Sequence, residues 1–318
     1  MLISVVIPVY KVEKYIGACI KSLLDQEYRD FNIVLVDDGS PDRSAEIAET
    51  LLSSQKEISY QVIKTENRGV SAARNTGLSN AQGEYAVMVD ADDVLSQSFL
   101  LDFVNQIREF PDTNVYSCSF SVVDENHATS FAERTNQVEC FSYQEAQLAF
   151  FNRSVKFLLP ALMFRISFLK ENGIQFDEAV RYSEDVQFIW RCLAYNRKAV
   201  IHSWARNYNY ILHSGSTMTS SGIEKILTFC GGMERLETET KNLFCEPVRS
   251  QLKTRMYFSM IHGAAQMLSF EDFKALYDKS GCGQYIIQQT KEGSIVPRMV
   301  SLLLILSRRL GYEITRRF

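Results

Sequence analysis

The stretch "VMVDADDVLS", Val87 to Ser96, sets three carboxylates, Asp90, Asp92 and Asp93, directly after an apolar run. A single aspartate at a strand end often does no more than cap the next helix. Three within four positions repel one another unless a cation or a proton relieves them, and an Asp-x-Asp pair offers the hard oxygen ligands that suit Mg2+ or Mn2+. Two more acidic pairs stand at similar breaks, Asp37 and Asp38 in "VDDGSPD" and Glu184 and Asp185 in "RYSEDVQFIW". Asp37 and Asp38 could cap the helix entered through Ser40 to Asp42, and Glu184 and Asp185 could answer the dipole of the helix they open. "ENRGVSAARN" adds Asn67, a flexible Gly69 and Arg74 at a helix start, a setting that can approach an anion or nucleotide. Neither a G-x-x-x-x-G-K-[ST] loop nor a G-x-G-x-x-G after the first strand competes as a phosphate-binding device.

These residues need elements to position them. "ISVVIPVY" is apolar and β-branched, "EKYIGACIKSLLDQ" has helical spacing at Tyr15, Ile16, Ile20, Leu23 and Leu24, and "FNIVLVDDGS" opens with another short apolar run. The alternation continues with a helix over Ser44 to Leu52, a strand near "YQVIKT", a helix around Ser71 to Leu78 and the strand "YAVMVD". It predicts an α/β fold with a mainly parallel sheet covered on both faces. In such sheets ligands bind beyond the carboxyl ends of the strands, where Tyr10, Asp37, Asp38 and Asp90 to Asp93 would gather. From about Asn105 the pattern loosens: "VYSCSFSVVDEN" reads as a hairpin strand, "SYQEAQLAFFN" as an amphipathic helix and "SEDVQFIWRCLAY" as a strong helix. Residues 1–220 are expected to form the sheet domain and 221–318 a helical extension, broken at "SGCGQ" and "KEGSIVPR".

With 318 residues, 46% of them apolar, the chain can bury one large core and a smaller one. A net charge of -4 argues against a nucleic-acid partner. Seven cysteines without a C-x-x-C pair read as reduced thiols, and "MLISVVIPVY" lacks a signal peptide's basic start and cleavage site, so a cytoplasmic setting is expected. The tail "VPRMVSLLLILSRRLGYEITRRF" joins leucines to Arg298, Arg308, Arg309, Arg316 and Arg317. It is too short to span a bilayer, and reads either as a basic amphipathic helix on an anionic membrane face or as a packed terminal helix or dimer contact.

"SVVIPVYKVEKYI", "VDDGSPDRS", "NRGVSAARNTGL", "GEYAVMVDADD" and "YSEDVQFIWR" follow one another in the order found in family 2 glycosyltransferases, and the sequence resembles the bacterial capsule and exopolysaccharide members over roughly the first 215 residues. The resemblance implies a GT-A fold and an inverting, metal-dependent transfer from a UDP-sugar to a glycan or lipid-linked oligosaccharide acceptor at the inner membrane face. It places Pro8 and Tyr10 at the uracil, gives Asp38 a hydrogen bond to the uracil imide, and lines the nucleotide pocket with Asn67 and Arg74. Asp92 would be the direct Mn2+ or Mg2+ ligand, Asp90 would contact ribose or metal water, and Asp93 would support them. Asp185 would be the general base and Glu184 its neighbour. His213 and Ser216 match polar positions over the diphosphate, while Ile211 stands where relatives often carry arginine. Two alternatives remain open: a sugar-phosphate nucleotidyltransferase, which would want a glycine-rich loop where "PVYKVEKY" has none, and a catalytically silent membrane-docked scaffold.

Overall fold

Valine and isoleucine dominate β1 (Ile3–Val9) and β2 (Phe31–Asp37), and nearly every side chain of both strands is buried, as a strand covered on both faces requires. The structure, a computed structural model, describes residues 2–131, 135–213, 223–292, 301–302, 304 and 308–315. It divides into two compact units, residues 1–178 with 185–213, and residues 179–184 with 214–318. The expected boundary at residue 220 lies outside the described residues.

In the first unit, β1, β2, β3 (Ser59–Lys64) and β4 (Tyr85–Met88) are mutually parallel, with α1 (Ile16–Leu24), α2 (Ser44–Ser53) and α3 (Val70–Asn80) as crossovers. The register pairs Val9 with Asp37 and Asp37 with Lys64, so β1, β2 and β3 end level and deliver Tyr10, Asp38 and Thr65 to one edge. Pairing of β1 with β4 stops at Val6–Met88, so Pro8 brings its missing donor to a part of the strand already free of β4. Gly77 lets α3 approach β1: a Cβ there would meet Val6 Cγ1 at 2.2 Å.

Beyond β4 the sheet becomes mixed. Its order is β3-β2-β1-β4-β8-β6-β9-β5, with β7 also on β9, where β5 is Val94–Leu95, β6 Val115–Asp124, β7 Val138–Phe141, β8 Leu162–Arg165 and β9 Val200–Leu212. The parallel arrangement expected from the alternation thus holds for the first ninety residues, and the four pairings β4–β8, β6–β8, β5–β9 and β7–β9 are antiparallel. β6 is not a hairpin strand; it pairs with β8 and, in parallel, with β9. β9 escapes sequence reading because polar residues interrupt its apolar pattern. His202, Asn207 and Asn209 are nevertheless buried, and each is hydrogen-bonded: His202 to Ser117, Asn207 to Ser96 and Asn209 to the carbonyls of Ala128 and Ser130. The expected helices around α5 (Tyr143–Asn152) and α7 (Glu184–Tyr195) are present, α4 (Phe99–Glu109) is one that the sequence pattern did not announce, and α6 (Ile166–Glu171) follows β8.

The second unit contains α8 (Ile223–Thr240), α9 (Val248–Met267), α10 (Phe270–Lys279), α11 (Gly283–Glu292) and a helix over Arg308–Thr315. Tyr257 stacks on Tyr285 at 4.4 Å, tying α9 to α11. In the terminal helix Tyr312 is buried, lies 5.1 Å from Phe273 and donates to Leu268 O at 2.7 Å. Arg308 pairs with Asp278, and Arg309 lies over the Phe270 ring at 5.6 Å. The described part of the tail therefore packs much of its apolar face inside its own unit, and its exposed Arg308 and Arg309 find partners there as well. No helix among the described residues is long and apolar enough to cross a membrane.

Candidate active site

Two acidic turns lie at the carboxyl edge of the parallel strands. In the first, Asp37 Oδ1 accepts from Ser40 N–H at 2.9 Å and closes the turn after β2. Asp38, 3% exposed, accepts from Arg68 N–H at 2.9 Å on one oxygen and from Gly69 N–H at 2.8 Å on the other. Its carboxylate thus fastens the loop that carries Asn67, whose backbone nitrogen lies 3.0 Å from where a Gly39 Cβ would sit. Asp42 binds the Ser40 and Ser44 hydroxyls and Glu13 N–H, while Lys11 N–H and Val12 N–H donate to Ser40 and Ser44. Burial pushes the Asp42 carboxyl up, but the hydrogen bonds from Ser40 and Ser44 win and hold it below the usual range. Tyr10 stands clear of this network, 41% exposed, with Lys11 Nζ 5.0 Å from its ring centroid.

The second turn is "DADD". Asp90 accepts from the buried Arg74 at 2.8 Å. Asp92 Oδ2 lies 2.8 Å from His213 Nε2; burial and then the charge of Asp90 push the Asp92 carboxyl up, and the His213 contact opposes them. Asp93, 1% exposed, turns inward, where Ile211 N–H donates to it at 2.8 Å and the Tyr208 hydroxyl to its other oxygen. Burial, then Asp90 and Asp92, raise its carboxyl to about 8. Asp93 therefore ties the turn to β9, and β9 in turn carries His213 to Asp92. Ile211 is a buried strand residue, 5% exposed. Cys19 Sγ reaches Asp90 O at 3.6 Å from α1 below.

Two residues escape sequence reading. Tyr15 stacks on the His213 ring at 4.3 Å and donates to Glu125 at 3.2 Å, so it holds one face of the imidazole. Counted among the apolar positions of α1, Tyr15 stands at the N-cap, and an aromatic there, just past the end of β1, is the signal that could have found it. Glu125 carries no such signal. His213 Nδ1 is buried and finds no hydrogen-bond partner among the described residues.

The structure thus brings Arg74, Asp90, Asp92 and His213 together by contact, with Asp93 behind them; Pro8, Tyr10, Asp38 and Asn67 share the same sheet edge. Glu184 and Asp185 open α7, half-buried, after Ser183 in the left-handed region at φ 56°. Ser216 lies outside the described residues. Among the described residues, no group of three or more His, Cys, Asp or Glu side chains is arranged to hold a metal ion on its own.

A family model described as "Glycosyl transferase family 2" matches residues 4–202. The chain is 35% identical over 191 residues to the glycosyltransferase EpsJ of Bacillus subtilis, covering 59% of this chain and 54% of that protein. It is 36% identical over 140 residues to the glycosyltransferase GlyG of Streptococcus pneumoniae, covering 44% and 46%. The chain thus spans about half the length of these curated relatives. Among solved structures, residues 1–349 of S. aureus TarS in complex with UDP-GlcNAc superpose with a TM-score of 0.76 over 100% of this chain and 91% of that one, at 22% identity. That likeness extends the shared fold beyond the residues of the family match.

Proposed function

The chain belongs to glycosyl transferase family 2, and from that membership we propose that it transfers a sugar from a UDP-sugar to a hydroxyl of a glycan acceptor, with inversion. The observation that carries the reading is the approach of Asp92 Oδ2 to His213 Nε2 at 2.8 Å, beside Asp90, at the carboxyl edge of parallel strands. TarS, which shares the fold, binds UDP-GlcNAc.

In this reading Tyr10 offers its exposed ring to the uracil, with Pro8 behind it. Asp38 already accepts from Arg68, Gly69 and the Thr65 hydroxyl, which leaves about one of the roughly four acceptor sites of a carboxylate for the imide N–H. Asn67 and Arg74 line the nucleotide pocket. The residues present suit a divalent cation: Asp92 and Asp90 crowd like charges, and the facing imidazole keeps a buried nitrogen without a hydrogen bond among the described residues. Asp92, with Asp90 beside it, would hold Mn2+ or Mg2+ and Asp93 would brace their turn; one or two carboxylates with substrate phosphates commonly suffice for such an ion. The cation supplies charge neutralisation of the departing diphosphate. The reading assigns His213 and Ser216 to that diphosphate. Asp185, positioned beside Glu184, takes the proton of the acceptor hydroxyl as its oxygen bonds to the anomeric carbon and the bond to UDP breaks.

UDP release from the purified chain across several UDP-sugars, with Mn2+ and with EDTA, tests this reading. Release that depends on one sugar and on the metal supports it; turnover of none, with UDP still bound, makes the chain a silent scaffold. The acceptor in this reading is a lipid-linked oligosaccharide of capsule or exopolysaccharide synthesis, met at the cytoplasmic face of the membrane. Leu302, half exposed, and the basic residues at the tail's end support peripheral attachment there. Flotation with anionic liposomes checks it: a chain lacking Ser301 to Phe318 should stay behind, and equal partitioning contradicts the attachment.

A further inference from the structure

Between α6 and α7 the chain runs through a short segment, Gln175–Glu178, that is fastened on two sides. On the α3 side the Asn75 side chain brackets Phe176, accepting from its N–H at 2.8 Å and donating to its carbonyl at 3.0 Å. The same amide donates to Glu178 Oε1 at 3.2 Å, and the Arg68 guanidinium pairs with the other Glu178 oxygen. Arg74, the residue before Asn75, sets its guanidinium carbon 5.4 Å from the Phe176 ring centroid while it holds Asp90. On the α7 side the Phe176 ring stacks on Phe188 at 4.0 Å with an interplanar angle of 5°. Arg191, nearly one turn further along α7, donates to Gln175 O at 2.9 Å. Phe188 lies three residues after Asp185, on the neighbouring turn of the same helix face.

Burial of Phe176 alone would account for an apolar contact. It does not account for a side-chain amide that clamps both backbone groups of a residue 101 positions away, nor for an ion pair on the exposed rim that repeats the same link. Paired hydrogen bonds from one planar amide fix direction as well as distance. The same ring then touches the arginine that orients Asp90 and the helix that carries Asp185.

We propose that Gln175–Glu178 is a positioning strap, centred on Phe176 and Asn75, that sets the spacing between the nucleotide side of the site, at α3 with Arg74 and Asp90, and the α7 turn that carries Asp185. The inference rests on reading Asp185 as the base and Asp90 as part of the donor site. Each half keeps its own local structure when the strap is loosened. Donor binding therefore survives, while the alignment of acceptor and donor deteriorates, and misplacement on the order of 1 Å can cost about 100-fold in rate.

The test uses Asn75→Ala and Phe176→Leu in the full chain. Both should lower kcat by about 10- to 100-fold and displace the pH profile of kcat, because the surroundings of Asp185 change, and Asn75→Ala, whose side chain bonds to the strap, should leave UDP affinity unchanged. A loss of UDP affinity and kcat together with an unchanged pH profile would mean that these residues only support folding, and overturns the proposal. Should the wild-type chain turn over no UDP-sugar, the functional reading fails by itself and the strap is judged by amide hydrogen exchange. Faster exchange in Asn75→Ala at both the 68–72 segment and the first turn of α7 upholds it, and a change confined to α3 overturns it.

Discussion

The two acidic turns at the sheet edge use the same residue type to opposite ends. After β2, the carboxylates of Asp37, Asp38 and Asp42 are answered mainly by backbone N–H groups and serine hydroxyls of neighbouring loops. After β4, Asp90 and Asp92 are answered mainly by side chains, Arg74 and His213, against the repulsion that Asp90 exerts on Asp92; Asp93 is bound by the backbone group of Ile211 and by a buried hydroxyl. Backbone donors cannot leave, so a carboxylate that satisfies them holds its loop in place, and Asp38 can meet a ligand only through the acceptor capacity they leave over. Side-chain partners can re-aim toward a ligand. Position at the carboxyl edge therefore does not separate a carboxylate fastened to neighbouring loops from one free to re-aim; the identity of its hydrogen-bond partners does.

Substitutions should separate the two turns. The largest effect is expected for Asp92→Ala, which should reduce sugar transfer to background while the thermal midpoint stays level or rises, since it relieves repulsion with Asp90. A drop in midpoint as large as the loss of activity would place Asp92 with the scaffold. Next comes Asp185→Asn, with transfer lowered by roughly 10²- to 10⁴-fold and UDP binding retained; steady-state kinetics at saturating donor reads this directly. In the first turn Asp38→Ala should act on stability first. It leaves two loop N–H groups without acceptors, at about 1–3 kcal/mol for each one that stays dry, and urea unfolding should show it.

The smallest effect lies away from both turns. Burial lowers the His202 imidazole from 6.5 to about 4. The unfolded chain therefore takes up the proton first on acidification. Stability is complete above about pH 6.5 and is lost as pH falls toward about 4, by about 3 kcal/mol at most. His202→Gln should flatten that part of the stability profile, and an unchanged slope would assign the acid sensitivity elsewhere.

Much of this was legible in the sequence where local pattern and tertiary role agree. The unbroken apolar runs of β1, β2 and β4 announced the parallel half of the sheet, and the acidic turns followed from where those runs stop. β8 is only four residues long, and β9 carries buried His202, Asn207 and Asn209, so neither shows the periodicity of a strand. Spacing alone cannot tell which of Asp92 and Asp93 points toward Tyr208, and only the family resemblance set Asp93 in a supporting place. Tyr15 was hidden because an aromatic at a helix start reads as core, and its partner His213 lies 198 residues away.

The central proposal is that Asp92, with Asp90, makes nucleotide binding depend on a divalent cation. Calorimetric titration of the full chain with UDP, in Mn2+ and in EDTA, tests it most directly when wild type and Asp92→Ala are run side by side. The account predicts Mn2+-dependent binding to the wild type, and its loss in Asp92→Ala without loss of folded structure. Equal UDP affinity of the wild type in Mn2+ and in EDTA would contradict it.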